Sequence, residues 1–219
     1  MNFQEYLNPT IEPISAEKQA ALDQSPLSSD AFIPFESVSE LVNSGYFEVE
    51  NGYCLNSDGS ASIAVLTDMP NVTPAMWHWW FGWHGDSDDK YKLWHPQAHV
   101  SVQWKDKVVG QVAYMDRVSH VCEYIGSKEE KDAIQFKNPA TIGLSLFELQ
   151  NSDAVYIVAR IGMITIPVDL GWLVHQVRKT PTGSEMRSRF WIGGAHFDGR
   201  NVVGNLIAVL LHRIRKIQA

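Results

Sequence analysis

The sequence predicts an α+β fold in which consecutive antiparallel strands lie between helical segments. Residues 180–184, TPTGS, contain Pro and Gly and predict a hairpin turn between the last two strands. Strands that follow one another without intervening helices form antiparallel pairs, whereas strands that alternate with helices would indicate a parallel α/β sheet. The predicted strands after position 99 are 100–105, 108–114, 117–125, 132–136, 154–166, 170–179 and 185–192.

Two helices are predicted from capping residues and from apolar periodicity. Thr73 followed by Pro74 is typical of a helix N-terminus, so a helix is expected to begin there and to end at Gly82 or Gly85. Near the end of the chain, apolar residues recur every three or four positions, which predicts an amphipathic helix. These residues are Val203, Leu206, Leu210, Ile214 and Ile217.

The first part of the chain predicts an arm followed by a short meander. Residues 1–30 are rich in Ser, Pro, Glu and Gln without an apolar period, so we expect an N-terminal arm there and a single domain over 31–219. Asn51-Gly52 is a strong hairpin signal, and residues 56–59 form a second turn. Short strands are therefore expected on both sides of this second turn.

Composition and charge exclude several classes of function. The chain has 219 residues, 45% of them hydrophobic, which suits one large domain with a buried core. Its net charge of −7 makes nucleic acid an unexpected partner. Two cysteines cannot form a cysteine-type zinc site and indicate a reducing cytoplasm. No signal peptide and no apolar run of membrane-spanning length is visible, so neither secretion nor a membrane span is expected.

Chemistry is expected to be concentrated in a segment rich in tryptophan and histidine. Six of the eight tryptophans and four of the eight histidines lie within residues 77–104. His95 and His99 have the spacing of two metal ligands on one helix face. Pro96, however, disfavours a helical conformation at His95, which leaves His95 an N-cap at best.

Two further polar residues lie in predicted strands. Glu123 alternates with Val121, and a carboxylate on an apolar face is costly unless it is paired or bound to a metal. If the face that carries Cys122 is the inner one, Glu123 is solvated instead, and alternation alone favours neither reading. His175 alternates with Val177 and is either a cavity residue or, as is more usual for a single histidine, a hydrogen-bonded core residue.

The motifs of the tryptophan-rich segment resemble the 2,4-diacetylphloroglucinol hydrolase and phloretin hydrolase family. The resemblance rests on MPNVTPAMWHWWFGWH at 69–84 and YKLWHPQAH at 91–99. It is extended by NGYC at 51–54, DG at 58–59, EYIG at 123–126 and MRSRFWIGG at 186–194. The family hydrolyses a carbon–carbon bond between an acyl group and a phenolic ring. The resemblance therefore implies a phenolic ketone as substrate and a helix-grip fold, in which a curved antiparallel sheet surrounds a ligand cavity and a long C-terminal helix.

The resemblance also implies a zinc ion held by two histidines and two glutamates. By motif order, His99 is the first histidine ligand and Glu123 the first glutamate ligand. Tyr91 matches a tyrosine that holds the phenolic hydroxyl, and His175 matches a further cavity histidine. His84, which also ends a motif, is the alternative for the first ligand.

The sequence departs from the family pattern near its end. The other two ligands of the family come from a His-x-x-x-Glu pair on a C-terminal helix, but His212 is followed four residues later by Lys216, which cannot replace a carboxylate. We therefore expect the domain to lack that ligand helix and to bind zinc weakly. Two hypotheses follow, a zinc-dependent carbon–carbon hydrolase and a non-catalytic protein that binds a phenolic ligand on the same scaffold. An exposed apolar stripe on the last helix would also favour a homo-oligomer.

Overall fold

The computed structural model describes residues 3–110, 113–145, 147, 149 and 153–218. Its nine strands form one antiparallel sheet, which confirms the α+β class. The strands are β1 (Gly52–Leu55), β2 (Ser60–Pro70), β3 (His99–Trp104), β4 (Val118–Ile125), β5 (Lys128–Lys137), β6 (Ala154–Met163), β7 (Val168–Thr180), β8 (Gly183–Gly193) and β9 (Asp198–Gly199). Their order is β1-β2-β8-β7-β6-β5-β4-β3, and β9 pairs with β7.

Four α-helices whose bounds lie within the described residues accompany the sheet. They are α1 (Ala16–Gln24), α2 (Pro74–Trp83), α3 (Asp88–Lys92) and α4 (Val202–Gln218). The predicted start of α2 is confirmed, because the Thr73 hydroxyl accepts a hydrogen bond from the Met76 amide at 3.2 Å. The helix ends at Trp83, between the two predicted glycines. No helix among the described residues is long and apolar enough to cross a membrane.

The predicted hairpin of the last two long strands is confirmed. Thr180 pairs with Gly183, so the turn between β7 and β8 contains two residues. Gly183 has a φ of +157°, and a Cβ placed there would come within 2.5 Å of the Met69 carbonyl oxygen. A glycine is therefore required where the turn approaches β2. The Asn71 amide donates to the Thr182 carbonyl at 2.9 Å, which fastens the turn to the end of β2.

The strand predicted at 108–114 is wrong. No strand is found at 108–110 or 113–114, and residues 111 and 112 lie outside the described residues. Lys107, in the turn that follows the end of β3 at Trp104, adopts a φ of +60°. Arg117 then binds Asp106, with 2.8 Å between Nη2 and Oδ1, and holds the segment as a loop. The apolar pattern of this segment suits a strand, but strand propensity is realised only where a neighbouring strand offers pairing and packing.

The helix predicted at the end of the chain is confirmed as α4. It contacts β9, β7 and the turn at 194–196. Gly204 and Ala208 are buried residues among positions 202–212 of this helix, whereas Val203, Leu206 and Leu210 of the predicted stripe are more than half exposed. The predictions for Ile214 and Ile217 concern side chains that lie outside the described residues.

The sheet packs different partners on its two faces. We call the first the α2 face, because α2 covers it. Phe81 of α2 packs there in a buried apolar cluster with sheet residues that include Met69, Phe136, Ile157, Leu173, Val177 and Met186. On the opposite face lies a 3₁₀ helix, Phe35–Val42, with Val38 and Leu41 packed against Val158, Val174 and Trp191.

The N-terminal arm predicted over 1–30 contains α1 and contacts β1. The Leu27 amide donates to the Tyr53 carbonyl at 2.9 Å, and the Tyr53 amide donates to the Ser25 hydroxyl at 3.2 Å. The arm therefore adds hydrogen bonds to the edge of the sheet. The boundary near residue 30 stays a prediction.

A buried ion cluster fastens the segment before β1 to the opposite face. The Glu50 carboxylate accepts hydrogen bonds from Arg187, at 2.6 Å between Oε1 and Nη2, and from Arg189. Burial alone would raise the pKa of Glu50, but the hydrogen bonds from the two guanidinium groups outweigh burial and hold it below the ordinary value. The Phe47 amide also donates to this carboxylate at 2.8 Å. One carboxylate therefore compensates two buried cations.

We expect Glu50→Gln to lower the free energy of unfolding at pH 7 by about 3 kcal/mol, because both arginines lose their compensating charge. Urea denaturation measures the change. The matched control is Glu48→Gln, which neutralises an exposed glutamate two residues away. Equal stability of the two variants would contradict the assignment.

Candidate active site

The pairing of β3 and β4 brings His99 and Glu123 together. These two residues are direct partners across the ladder, next to an irregularity between His99 and Ser101. The distance between His99 Nε2 and Glu123 Oε2 is 3.7 Å. This lies within the 3 to 4 Å that we expect for two ligands of one zinc ion, because zinc lies about 2.0–2.2 Å from such donors.

Tyr91, near the end of α3, completes this cluster. Its hydroxyl donates a hydrogen bond to Glu123 Oε2 at 2.7 Å. Its ring stacks on the His99 ring, with centroids 3.9 Å apart and planes inclined by 3°. Asp88, the first residue of α3, accepts a hydrogen bond from the Val102 amide of β3 at 2.8 Å. The short helix is thus tied to the strand that carries His99.

A backbone hydrogen bond fixes which nitrogen of His99 carries the proton. His99 Nδ1 lies 3.0 Å from the Tyr91 carbonyl oxygen, and a carbonyl can only accept. Nδ1 is therefore protonated, and Nε2 presents its lone pair towards Glu123. Burial lowers the pKa of His99 below its ordinary value, although the Tyr91 carbonyl and the Glu123 charge act in the other direction. The imidazole is therefore neutral near pH 7.

The donor set of this cluster fits part of a zinc site. A neutral imidazole nitrogen and a carboxylate oxygen both present electron pairs across 3.7 Å, an arrangement that a cation stabilises. The hydrogen bond on His99 Nδ1 is the kind of outer contact that orients a histidine ligand. Within the described residues, no group of three or more His, Cys, Asp and Glu side chains that could hold a metal ion is found. His99 and Glu123 thus fit two of the four positions of a tetrahedral site.

Two acidic residues of β5 lie beside Glu123 and were missed by sequence reasoning. Glu130 pairs directly with Glu123, and Asp132 pairs with Val121. Burial, followed by the charges of Glu123 and Glu130, raises the pKa of Asp132 to about 6. Because residues two positions apart on a strand point to the same face, the sequence could have indicated that Glu130 and Asp132 lie on one face. Their position opposite β4 depends on the register of the hairpin.

The apolar side of the cluster is formed by the tryptophan-rich segment. The Trp94 ring lies 5.2 Å from the His99 ring and 5.2 Å from the Trp77 ring of α2. Phe81, also in α2, lies 5.6 Å from Trp94. Trp94 therefore packs against His99, and Trp77 and Phe81 pack against Trp94. His95 caps the turn before β3, because its Nδ1 accepts a hydrogen bond from the Ala98 amide at 3.0 Å.

His84, the alternative ligand, lies next to Tyr91. The two rings are 5.6 Å apart and inclined by 13°. His84 Nδ1 lies 2.7 Å from the Trp80 carbonyl oxygen, so it carries the proton. Burial lowers the pKa of His84 to about 4, and the hydrogen bond to Trp80 opposes this only in part. His99 is thus the histidine that lies next to Glu123, whereas His84 stacks on the ring of Tyr91.

His175 lies on the α2 face of the sheet, and its role as a cavity residue stays a prediction. It pairs with Ser188 of β8, and its Nδ1 lies 2.8 Å from the Ser188 hydroxyl oxygen. Its ring is 5.9 Å from that of Phe81, which in turn lies 5.6 Å from His84. Burial lowers the pKa of His175 to about 4. A row of aromatic contacts therefore connects His175 to the Tyr91 cluster, and Ser188 is a partner that sequence reasoning missed.

A sheet face covered by aromatic residues, with a histidine and a glutamate converging beside a tyrosine, is the candidate site of this α+β protein. The chain belongs to the family described as DAPG hydrolase PhiG domain, whose profile matches residues 32–218. The family resemblance in the sequence motifs is thereby confirmed.

Three curated or solved proteins illustrate the similarity. Phloretin hydrolase of Eubacterium ramulus is 29% identical over 212 residues, covering 93% of this chain and 76% of that protein. The 2,4-diacetylphloroglucinol hydrolase of Pseudomonas protegens is 27% identical over 212 residues, covering 89% of this chain and 68% of that protein. The crystal structure of Ara h 8.0201 has a TM-score of 0.35 and 11% identity, covering 73% of this chain and 97% of that chain.

The depressed pKa of His84 predicts a pH dependence of stability. Because the folded value of about 4 lies below the ordinary 6.5, the unfolded chain takes up the proton first as the pH falls. His84 therefore contributes fully above pH 6.5, and its contribution is lost down to pH 4. In His84→Asn, which can still donate to Trp80 but cannot titrate, the free energy of unfolding should fall by roughly 3 kcal/mol less between pH 7 and pH 4. Urea denaturation across this range measures it, and parallel curves for wild type and variant would contradict it.

Proposed function

We propose that the protein is a hydrolase that cleaves the carbon–carbon bond between an acyl group and a polyphenol ring, on a fold of the helix-grip type. The observation that carries the proposal is the cluster of Tyr91, His99 and Glu123, in which a hydroxyl and an imidazole nitrogen both converge on one carboxylate oxygen. Family membership and relatives named for phloretin and 2,4-diacetylphloroglucinol support this substrate class. A phenolic ketone is therefore the proposed substrate.

The reaction requires one water molecule. Its oxygen adds to the acyl carbon, the bond from the acyl carbon to the ring breaks, and the ring carbon takes up a proton, which leaves a carboxylic acid and a deacylated ring. In our proposal His99 and Glu123 hold zinc. When bound, zinc would acidify the attacking water and polarise the acyl carbonyl.

Tyr91 remains protonated and acts as a donor. Burial, reinforced by the charge of Glu123, raises the pKa of its hydroxyl above the ordinary value. The hydroxyl holds Glu123 Oε2 in place at 2.7 Å, and the stacked ring holds His99. In the proposed complex, Tyr91 also orients a phenolic hydroxyl of the substrate. Hydroxyls beside the acyl group let the ring accept a proton on carbon, because the ring can pass through a keto form.

His175 lies further along the α2 face, where Phe81 and Phe190 surround it. Its depressed pKa keeps it neutral, so it holds or orients a substrate oxygen and carries no charge at neutral pH. The aromatic residues of α2 would pack against the flat ring of the substrate.

We expect His99→Ala and Glu123→Gln each to lower the rate of acid release from phloretin or 2,4-diacetylphloroglucinol by at least about 100-fold, because each removes a proposed metal ligand. Product analysis with added zinc, together with elemental analysis of dialysed protein, measures both effects. Glu129→Gln is the matched control, since Glu129 precedes Glu130 on β5 and lies exposed beside Lys131.

Tight binding of phloretin without release of acid by the wild-type protein, with zinc present, would instead identify a non-catalytic protein that binds phenolic ligands. Retained zinc and activity in both ligand variants would show that the metal is held elsewhere. A loss of activity in Glu129→Gln equal to that in Glu123→Gln would contradict a specific role of Glu123.

A further inference from the structure

His175 and Ser188 form a buried polar pair in an apolar region of the α2 face. They are direct partners on β7 and β8, and 2.8 Å separates His175 Nδ1 from Ser188 Oγ. His175 is 7% exposed and Ser188 is 4% exposed, so neither side chain is well placed to form hydrogen bonds with bulk water. The side chains around the imidazole include the rings of Phe81 and Phe190. The polarity of this pair therefore needs a reason.

The hydrogen bonds available to His175 and Ser188 indicate which atoms carry the protons. A serine hydroxyl has one proton to donate, and a buried donor without an acceptor is costly. In the part of the chain that is described, His175 Nδ1 is the one hydrogen-bond partner of Ser188 Oγ. If Nδ1 carried the proton, it would donate to the serine oxygen, and the serine proton would have no acceptor. The favoured arrangement has the serine donating to an unprotonated Nδ1.

We propose that Ser188 is a positioning residue that holds His175 in the tautomer with the proton on Nε2, so that the neutral imidazole donates a hydrogen bond to the acyl oxygen of the substrate. The inference rests on the proposed function for the identity of that oxygen. No hydrogen bond of His175 Nε2 is found among the described residues, so in the proposed complex this nitrogen is the one that donates to the ligand. A phenolic ketone supplies an oxygen acceptor on a flat, mostly apolar molecule.

The imidazole keeps its proton throughout the reaction. As water adds to the acyl carbon, negative charge gathers on the acyl oxygen, and a hydrogen bond aimed at that oxygen becomes stronger. The charge returns into the carbonyl when the ring carbon leaves with the electron pair. The proton that the water gives up ends on the ring carbon. Because burial keeps the pKa of His175 far below neutral, the residue remains a neutral donor.

The test begins with the tautomer of His175 in the full chain. Two-bond ¹H–¹⁵N spectra of labelled protein show which ring nitrogen carries the proton, and the His175 signals are assigned through their correlations to its backbone. We expect the proton on Nε2 in the wild type. In Ser188→Ala, a second population with the proton on Nδ1 should appear. A wild-type His175 protonated on Nδ1 would overturn the proposal, and this measurement does not depend on the folding of any variant.

The chain offers a matched control in Ser184→Ala. Ser184 lies four residues earlier on β8 and so on the same side of the strand, and it is 2% exposed. Its hydroxyl is buried without a hydrogen-bond partner in the described residues. This variant should therefore leave the tautomer of His175 unchanged, while Ser188→Thr, which keeps the hydroxyl, should preserve the Nε2 proton.

Kinetics with phloretin then separate positioning from a merely structural role. In Ser188→Ala we expect kcat to fall by about tenfold with KM changed less than about twofold, because one oriented donor acts mainly in the transition state. Ser188→Thr should recover most of the rate, and Ser184→Ala should retain it. An unchanged tautomer and kcat in Ser188→Ala would overturn the proposal. A wild type without any hydrolase activity would overturn the proposed function instead, while the nitrogen spectra would still decide the role of Ser188.

Discussion

The antiparallel register that runs from β3 to β8 is the constraint on which the candidate site depends. Directly opposed residues of neighbouring strands lie on the same side of a sheet. The ladder therefore sets Glu123 next to His99 at one end and His175 next to Ser188 further along. If the register of β3 and β4 shifted by one residue, His99 and Glu123 would lie on opposite faces of the sheet. A shift of one residue between β7 and β8 would separate His175 from Ser188 in the same way. The two-residue turn between β7 and β8 therefore matters for the site as well as for the fold.

Within this frame, the partner of Nδ1 decides what each buried histidine can do. In His84 and His99, Nδ1 faces a backbone carbonyl, so Nε2 keeps a lone pair. In His175, Nδ1 faces the hydroxyl of Ser188, which can itself donate. In our proposal, the same side chain therefore serves as a metal-ligand nitrogen in His99 and as a hydrogen-bond donor in His175. Burial lowers the pKa of all three histidines. Each imidazole is therefore neutral near pH 7, with one nitrogen protonated and the other carrying a lone pair.

The opposite face of the sheet is closed by ionic and apolar contacts. Glu50 compensates Arg187 and Arg189, and the 3₁₀ helix Phe35–Val42 covers the neighbouring apolar residues. These contacts fasten residues that precede β1 to the strand that carries Ser188. They leave the α2 face as the side on which aromatic residues and histidines meet. Structural contacts therefore cover the opposite face, and the candidate site lies on the α2 face.

The sequence alone was sufficient where the signal is local. Capping at Thr73 identified the start of α2, and the Pro- and Gly-containing turn identified the β7–β8 pair. The tryptophan-rich motifs identified the family. Each of these signals depends on a few adjacent residues. It could not place segment 108–114, which has the composition of a strand but follows a turn and finds no partner strand among the described residues. Only tertiary structure decides pairing of that kind.

The same distinction applies to the candidate site. Motif order pointed to His99 and Glu123, but alternation left the face of Glu123 open, since both sides of β4 carry apolar residues. The hydrogen bond from Tyr91 to Glu123 and the pairing with His99 place it in the cluster. Neither Asp132 nor Ser188 carries a local signal of its environment, because their surroundings come from strands distant in sequence. The sequence determines which side chains are present, and the register of the sheet determines which of them meet.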